Sequence, residues 1–164
     1  MTSGSVVDRI DSQHFIDTLL RVVPDLPQPV AESLWSAHGA RCYSPAEFLL
    51  CEGKASQGIF LIVSGVVRLS LSTDSPKVQN IHSRELRSPA LLGVNDVMLG
   101  CPVSLTAQAL TEVCSAFIPR TAFVNAVRQY PSAGIAFSQL IAEELSSTYS
   151  RISKLRAASA GSTR

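Results

Sequence analysis

Residues 52–67, which read EGKASQGIFLIVSGVV, constrain the fold of this chain more than any other stretch. An apolar run over residues 59–63 follows a glycine turn, and Ser64 and Gly65 interrupt it before a second apolar run begins. Short β-branched runs that are punctuated by glycine are typical of antiparallel barrels and jelly rolls. The segment therefore predicts two strands, joined tightly at Ser64 and Gly65, in an antiparallel barrel or jelly roll.

The rest of the chain predicts short helices first, then roughly eight strands, then two more helices. Ser12 can cap a helix whose apolar residues recur at helical spacing as far as Val23, and a second short helix fits residues 30–38. The polar stretch at residues 84–87 is not predicted as a strand. Strands are predicted at residues 41–43, 47–51, 58–64, 66–72, 78–82, 90–92, 105–110 and 114–118. A helical turn at 95–99 and helices over 122–129 and 132–158 complete the pattern.

Grouped strands followed by grouped helices predict an α+β fold. We expect an antiparallel β jelly-roll barrel (a double-stranded β-helix), flanked by short N-terminal helices and a long C-terminal helix. The expected division is a loose N-terminus over residues 1–11, a β-roll with flanking helices over 12–131, the long helix over 132–158 and a flexible tail over 159–164.

Composition excludes several classes of function. Hydrophobic residues make up 46% of the 164 residues and charged residues 16%, a balance that favours a folded core over disorder. The net charge of +1 gives no electrostatic reason to bind nucleic acid. No apolar run approaches the roughly 20 residues of a membrane span, and the N-terminus lacks the pattern of a signal peptide. We therefore expect a cytoplasmic protein that does not contact a membrane.

The cysteines and histidines do not form a recognisable metal-binding pattern. The four cysteines, none in a C-x-x-C pair, are interpreted as reduced, small apolar core residues, and a redox or metal role is the alternative. The histidines are scattered along the chain. The sequence therefore predicts no metal site and no cofactor. The cysteines are Cys42, Cys51, Cys101 and Cys114, and the histidines are His14, His38 and His82.

The long C-terminal helix carries a seam of residues spaced 4, 3, 4 and 3 apart, which is a heptad pattern of about two heptads. In a symmetric dimer, the same face of each helix meets its twin. The pattern therefore predicts a homodimer, although packing of the helix against its own barrel explains it equally well. The predicted interface residues are Ile141, Leu145, Thr148, Ile152 and Leu155.

Taken in order, these elements resemble the sensor domain of the Crp/Fnr family of bacterial transcription regulators, over residues from about 15 to about 155. The most specific part is Glu52-Gly53 followed by IFLIVSGVV, which is similar to the family's glycine-cornered hairpin. The resemblance implies a cyclic-nucleotide-binding-like fold and a regulatory, non-enzymatic function with no catalytic residues.

The resemblance also identifies a candidate ligand pocket, where the charged residues of the family are missing. Nucleotide-binding members follow a glycine with a glutamate for the ribose, and later use an arginine and a hydroxyl residue for the phosphate. Here Gly93 matches the glycine, but Val94 stands at the glutamate and Val103 at the arginine, with Ser104 at the hydroxyl. Two lost charge-assisted contacts weaken affinity by about 10²–10⁴-fold, so we expect no binding of cAMP or cGMP. The candidate pocket residues are Leu92, Gly93, Val94, Val103, Ser104, Leu105 and Thr148.

Full-length members of the family carry a helix-turn-helix domain after the long helix, whereas this chain ends at Arg164. We therefore expect no direct DNA binding by the chain alone. The expected function is that of a sensor or dimerisation module with a degenerate nucleotide pocket. Its partner would be a second copy or a full-length family member.

Three alternatives stay open. The altered pocket could serve a different, more apolar small-molecule effector. A redox or haem sensor is a second possibility, with His82 as a haem ligand that has no further support. A cupin-like metalloenzyme is the third, which the scattered histidines disfavour because that chemistry needs clustered ligands.

Overall fold

The structure, a computed structural model, describes residues 10–72 and 83–161, with side chains as far as residue 158. Two short helices precede the strands, a third lies between strands, and two more follow them. The helices are α1 (Ser12–Val22), α2 (Gln28–Ala37), α3 (Val94–Leu99), α4 (Arg120–Gln129) and α5 (Pro131–Gly161). The strands are β1 (Gly39–Tyr43), β2 (Phe48–Leu50), β3 (Gly58–Ser64), β4 (Val66–Ser70), β5 (Ser83–Arg87), β6 (Ala90–Leu92), β7 (Thr106–Ala109) and β8 (Val113–Pro119).

The strands form two antiparallel four-stranded sheets, in the orders β1-β8-β3-β6 and β2-β7-β4-β5. The α+β class and the long C-terminal helix agree with the sequence prediction. The predicted barrel does not: the described strands make two open sheets, and no strand pairing joins the two sheets into a closed one. The chain crosses from one sheet to the other at most of its turns. The two sheets therefore pack face to face around a shared core without closing into a barrel.

Strand β3 connects the two hydrophobic cores of the domain. Ile59 and Leu61 contribute to a core shared with the helices, while Phe60 and Ile62 contribute to a core between the two sheets. Because alternate side chains of a strand point to opposite faces, a strand that is covered on both faces must be apolar throughout. This explains the continuous apolar run over residues 59–63.

Gly65, between β3 and β4, has φ +99°, a conformation that side chains with a Cβ disfavour. A Cβ at this position would overlap the backbone carbonyl of Glu112. Strands β3 and β4 belong to different sheets and do not pair, so this segment is a tight turn between the sheets and not a hairpin. The turn needs glycine both for its backbone angle and for the close approach of the neighbouring chain.

The first helix begins as predicted at Ser12, but Asp11 and not Ser12 provides the cap. The Asp11 carboxylate accepts a hydrogen bond from the backbone N–H of His14 at 2.8 Å. An oxygen at this position satisfies one of the first-turn N–H groups that have no partner within the helix. Asp11 and Ser12 are adjacent residues of types that can both cap a helix, and the Asp11 carboxylate is the one that bonds.

Strand β5 was missed by the sequence analysis. Only Arg84 and Leu86 of this strand are partly shielded, and its other residues are exposed. Because β5 lies at the end of its sheet, it needs few apolar residues and lacks a strand-like pattern. The strand predicted at residues 78–82, together with His82, lies outside the described residues.

The long helix α5 has two parts that differ in burial. Near its start, Ala133, Ala136 and Phe137 are buried in the helix-side core. From Leu145 onward its described side chains are exposed. The helix runs to Gly161 and so continues past the predicted end at residue 158.

Candidate ligand pocket and exposed helix face

A small cavity lies between α3, the loop before β7 and the side of α5 that carries Leu140, Ile141 and Glu144. Its volume is about 50 Å³, room for a few water molecules and well below the roughly 300–1,000 Å³ of an ordinary ligand pocket. Most of its lining side chains are aliphatic, and the polar ones come from four different segments. The lining consists of Leu50, Leu69, Arg84, Leu91, Leu92, Gly93, Val94, Asn95, Asp96, Ser104, Leu105, Leu140, Ile141 and Glu144.

Five of the seven predicted pocket residues line this cavity: Leu92, Gly93, Val94, Ser104 and Leu105. They come together because β6 leads directly into α3 and the loop before β7 returns beside them. Gly93 has φ +84° at the start of α3, and a Cβ there would press on the Gly58 carbonyl at 3.1 Å. The corner between β6 and α3 therefore depends on glycine.

Val103 does not line the cavity but is buried in the core between the sheets. Its backbone N–H donates to the Lys54 carbonyl at 2.8 Å, and its carbonyl accepts from the Gly53 N–H at 2.8 Å. The position that the resemblance assigns to a phosphate-binding arginine thus holds a short aliphatic side chain directed into packed apolar groups.

Thr148 also lies away from the cavity, exposed on α5. Its hydroxyl donates to the Glu144 carbonyl one turn earlier, at 2.9 Å, and accepts from the Arg151 guanidinium at 3.2 Å. Both hydrogen bonds of the hydroxyl are therefore made within α5.

An ion pair that sequence reasoning missed lies at the cavity wall. Arg84 Nη2 of β5 is 4.0 Å from Glu144 Oε1 of α5. Burial raises the pKa of the Glu144 carboxyl, and this effect outweighs the positive charges of Arg84 and Arg151, which lower it. The two residues are far apart in sequence and sit in elements with no shared motif, so only the fold could reveal the pair.

Asp96 is the buried carboxylate of the cavity, only 4% exposed. The Cys101 thiol lies 3.9 Å from its Oδ1, as a weak donor, and the Asp96 carbonyl accepts the Cys101 backbone N–H at 3.2 Å. Both contacts join Asp96 to the same residue just beyond α3. Asp96 therefore serves to hold the turn after that helix.

The cavity as a whole offers an aliphatic wall with one cation and two carboxylates. An anionic ligand would find a single guanidinium in this lining, Arg84, already paired with Glu144. A small neutral or apolar molecule would not need to compete with Glu144 for the Arg84 guanidinium. The arrangement is therefore chemically better suited to water or a small apolar group than to a cyclic phosphate.

The other predicted site is the exposed face of α5. Leu145, Ile152 and Leu155 are 52%, 43% and 57% exposed, and Tyr149, absent from the predicted set, is 62% exposed on the same stripe. Ile141 differs, since it is half-buried against the helix-side core and lines the cavity. The exposed apolar stripe therefore begins at Leu145.

The sequence matches the family model for the cyclic nucleotide-binding domain over residues 40–130, which is more than half of the chain. The chain therefore belongs to the cyclic nucleotide-binding domain family, and the resemblance to a sensor domain of this type is confirmed. Among curated proteins, none matches the chain in sequence.

Solved structures of the family have the same fold. A cyclic nucleotide-binding domain from Methylobacillus flagellatus has a TM-score of 0.73 at 22% identity, covering 86% of this chain and 83% of that one. The sensor domain of the transcriptional regulator DNR from Pseudomonas aeruginosa has a TM-score of 0.67 at 15% identity, covering 87% and 93%. The catabolite activator protein of Thermus thermophilus has a TM-score of 0.66 at 19% identity, covering 82% and 62%.

This chain spans less than two thirds of the length of several longer relatives, the Thermus protein among them. At these identities the likeness establishes the fold alone. The described helices include none long and apolar enough to cross a bilayer. Among all the residues that the structure describes, no three potential metal ligands lie close enough together to hold an ion.

Proposed function

We propose that this chain is a non-enzymatic regulatory module whose nucleotide pocket has degenerated, so that it binds neither cAMP nor cGMP, and that it acts by pairing through α5. The observation that carries the proposal of a degenerate pocket is the burial of the two valines at the positions that the resemblance assigns to charged residues. Val94 and Val103, which replace the glutamate and the arginine of nucleotide-binding members, are 6% and 4% exposed. Both sit among aliphatic groups that could not solvate a phosphate.

The size of the cavity supports the same proposal. A cyclic nucleotide needs a site many times larger than about 50 Å³. Its phosphate would also have to displace Glu144 from Arg84 to gain a cation.

Pairing through α5 is supported by the exposed stripe of Leu145, Tyr149, Ile152 and Leu155. A stripe of large apolar side chains on an otherwise exposed helix is characteristic of an interaction surface. Its spacing matches a two-stranded seam. We propose a second copy of the chain as the occupant, and a longer family member with the same helix as the alternative.

A second candidate function is a sensor of a small apolar effector. The aliphatic lining of the cavity, in particular Leu50, Leu69 and Leu105, favours it. Such a ligand would fill space without needing a counter-charge.

Isothermal calorimetry and sedimentation equilibrium on the purified chain test the proposal together. We expect no heat of binding with cAMP or cGMP up to millimolar concentration, and a dimer at micromolar protein. Micromolar affinity for either nucleotide would refute the degenerate pocket. A monomer at all accessible concentrations would refute self-pairing. A thermal shift with small neutral metabolites, and none with cyclic nucleotides, would favour the apolar-effector alternative.

A further inference from the structure

Two cysteines lie opposite each other on neighbouring antiparallel strands. In the pairing of β1 with β8, Cys42 is the register partner of Cys114. Their Sγ atoms are 3.6 Å apart, although the residues are 72 positions apart in sequence. The sheet brings together two thiols that no sequence motif connects.

The strand register is compatible with a bond between them. Residues that oppose each other on antiparallel strands have Cα atoms about 4.5 or 5.5 Å apart, and disulfides usually join Cα atoms about 4.4–6.8 Å apart. A disulfide bond is about 2.05 Å long, so the two sulfurs must approach by about 1.5 Å from 3.6 Å. Rotation of the two side chains about their Cα–Cβ bonds is the movement that would bring the sulfurs together.

The two thiols differ in their access to solvent. Cys42 is exposed and lies on β1, the edge strand of its sheet, whereas Cys114 is 5% exposed on β8 in the interior of that sheet. A dissolved oxidant therefore reaches Cys42 first. Cys114 is shielded from the oxidant but lies next to the sulfur that has reacted, which is the arrangement of a reactive and a resolving cysteine.

We propose that Cys42 and Cys114 form a reversible intramolecular disulfide, so that this face of the domain is a thiol-oxidation site for peroxides. The Cys42 thiolate attacks an oxygen of hydrogen peroxide, the O–O bond breaks, and the hydroxide released takes up the thiol proton as water. Cys114 Sγ then attacks the sulfenic sulfur of Cys42. The S–S bond forms, the S–O bond breaks, and a second water leaves.

In the balanced reaction, the two thiols lose two electrons and two protons, and the peroxide becomes two waters. A low-molecular-weight thiol restores both cysteines by exchange.

The disulfide bond would fasten the edge strand β1 to β8 and close a long chain loop, which restricts the unfolded state. We expect the oxidised domain to melt on the order of 10 °C higher than the reduced one.

Digestion at glutamate separates the four cysteines and makes the test direct. Cleavage after Glu47, Glu52, Glu112 and the other glutamates leaves Cys42, Cys51, Cys101 and Cys114 on four different peptides. The native wild-type chain is treated with stoichiometric hydrogen peroxide, alkylated with iodoacetamide, digested and analysed by mass spectrometry without reduction. We expect residues 33–47 linked to residues 113–143, and the link to disappear after dithiothreitol.

Matched variants complete the experiment. Cys51→Ser should still form the link, while Cys42→Ser should keep Cys114 as a thiol after oxidation. All four thiols alkylated after the peroxide is consumed would overturn the proposal, as would a link that involves Cys51 or Cys101 or joins two chains. The wild-type digest, together with a non-reducing gel that shows whether the oxidised protein has the mass of one chain or two, decides the question even if a variant fails to fold.

Discussion

Arg84 of β5 and Glu144 of α5 form an ion pair, with 4.0 Å between guanidinium and carboxylate, at the wall of the small cavity. The pair connects the edge of one sheet to the long helix at the level where α5 leaves the body of the domain. Both side chains are more than a third exposed, so the attraction between them is weak.

Glu144→Gln should therefore stabilise the domain slightly at neutral pH, by less than about 1 kcal/mol. Burial raises the pKa of Glu144 above its ordinary value of 4.5, despite Arg84 and Arg151. The folded state then holds the proton more tightly than the unfolded state, so ionisation of this carboxyl costs stability above pH 4.5. Below that pH both states are protonated and the cost vanishes.

Urea unfolding at pH 7 and at pH 4 checks this prediction. The variant should be the more stable protein at pH 7, and the difference should shrink at pH 4. Glu143→Gln, at the adjacent exposed position, is the matched control and should change little at either pH. A Glu144→Gln protein less stable than wild type at pH 7 would mean that the ion pair outweighs the burial.

Val103→Arg introduces the residue type that the family resemblance assigns to this position, and we expect it to destabilise the domain without creating a binding site. Val103 is buried between the sheets, so a guanidinium there is taken out of water without a partner. The expected loss is roughly 2–5 kcal/mol. Thermal unfolding measures it, and calorimetry with cAMP should stay flat.

Ser104→Arg makes the corresponding change one residue along the chain, at an exposed position, and serves as the control. It should leave stability within about 0.5 kcal/mol. If Val103→Arg were as stable as this control and bound cAMP at micromolar concentration, the position would be a functional part of an intact pocket, and the proposal of a degenerate one would fail.

Much of the fold could be predicted because the central strand has an unusual environment. Strand β3 is covered on both faces, and its continuous run from Ile59 onward could be read directly from the sequence. Strand β5 has the opposite character, at a sheet end with mostly exposed residues. Its sequence carries no periodic apolar signal, so only its pairing with β4 identifies it as a strand.

The residues of the candidate site also differ in how far they could be predicted, because some are neighbours in sequence and others meet only through packing. Residues 92–94 could be predicted because one turn carries them together. Arg84 and Glu144 could not, since their proximity depends on how β5 and α5 pack. Val103 and Thr148 were aligned from a motif that locates a position in the chain, and the packing of that position decides which way the side chain faces.

Gly65→Ala should destabilise the turn between β3 and β4, because Gly65 has φ +99° and a Cβ would overlap the Glu112 carbonyl. The expected cost is about 1–3 kcal/mol. Denaturant unfolding measures it. Gly39→Ala is the matched control, since nothing lies within 4 Å of a Cβ there. Equal stability of the two variants would show that the β3–β4 turn relaxes to accept a side chain.

Leu145→Asp should convert the proposed dimer to a monomer, because Leu145 is 52% exposed at the start of the apolar stripe on α5. Burying a leucine is worth about 1.5–3 kcal/mol, and a symmetric interface loses it twice, so the dissociation constant should rise by about 10²–10⁴-fold. Sedimentation equilibrium should then give the 17.5 kDa chain mass in place of twice that value. Leu99→Asp, at a residue of α3 that is 78% exposed and not part of the stripe, should leave the proposed dimer intact. A Leu145→Asp protein that stays dimeric would place the contact between copies somewhere other than this stripe.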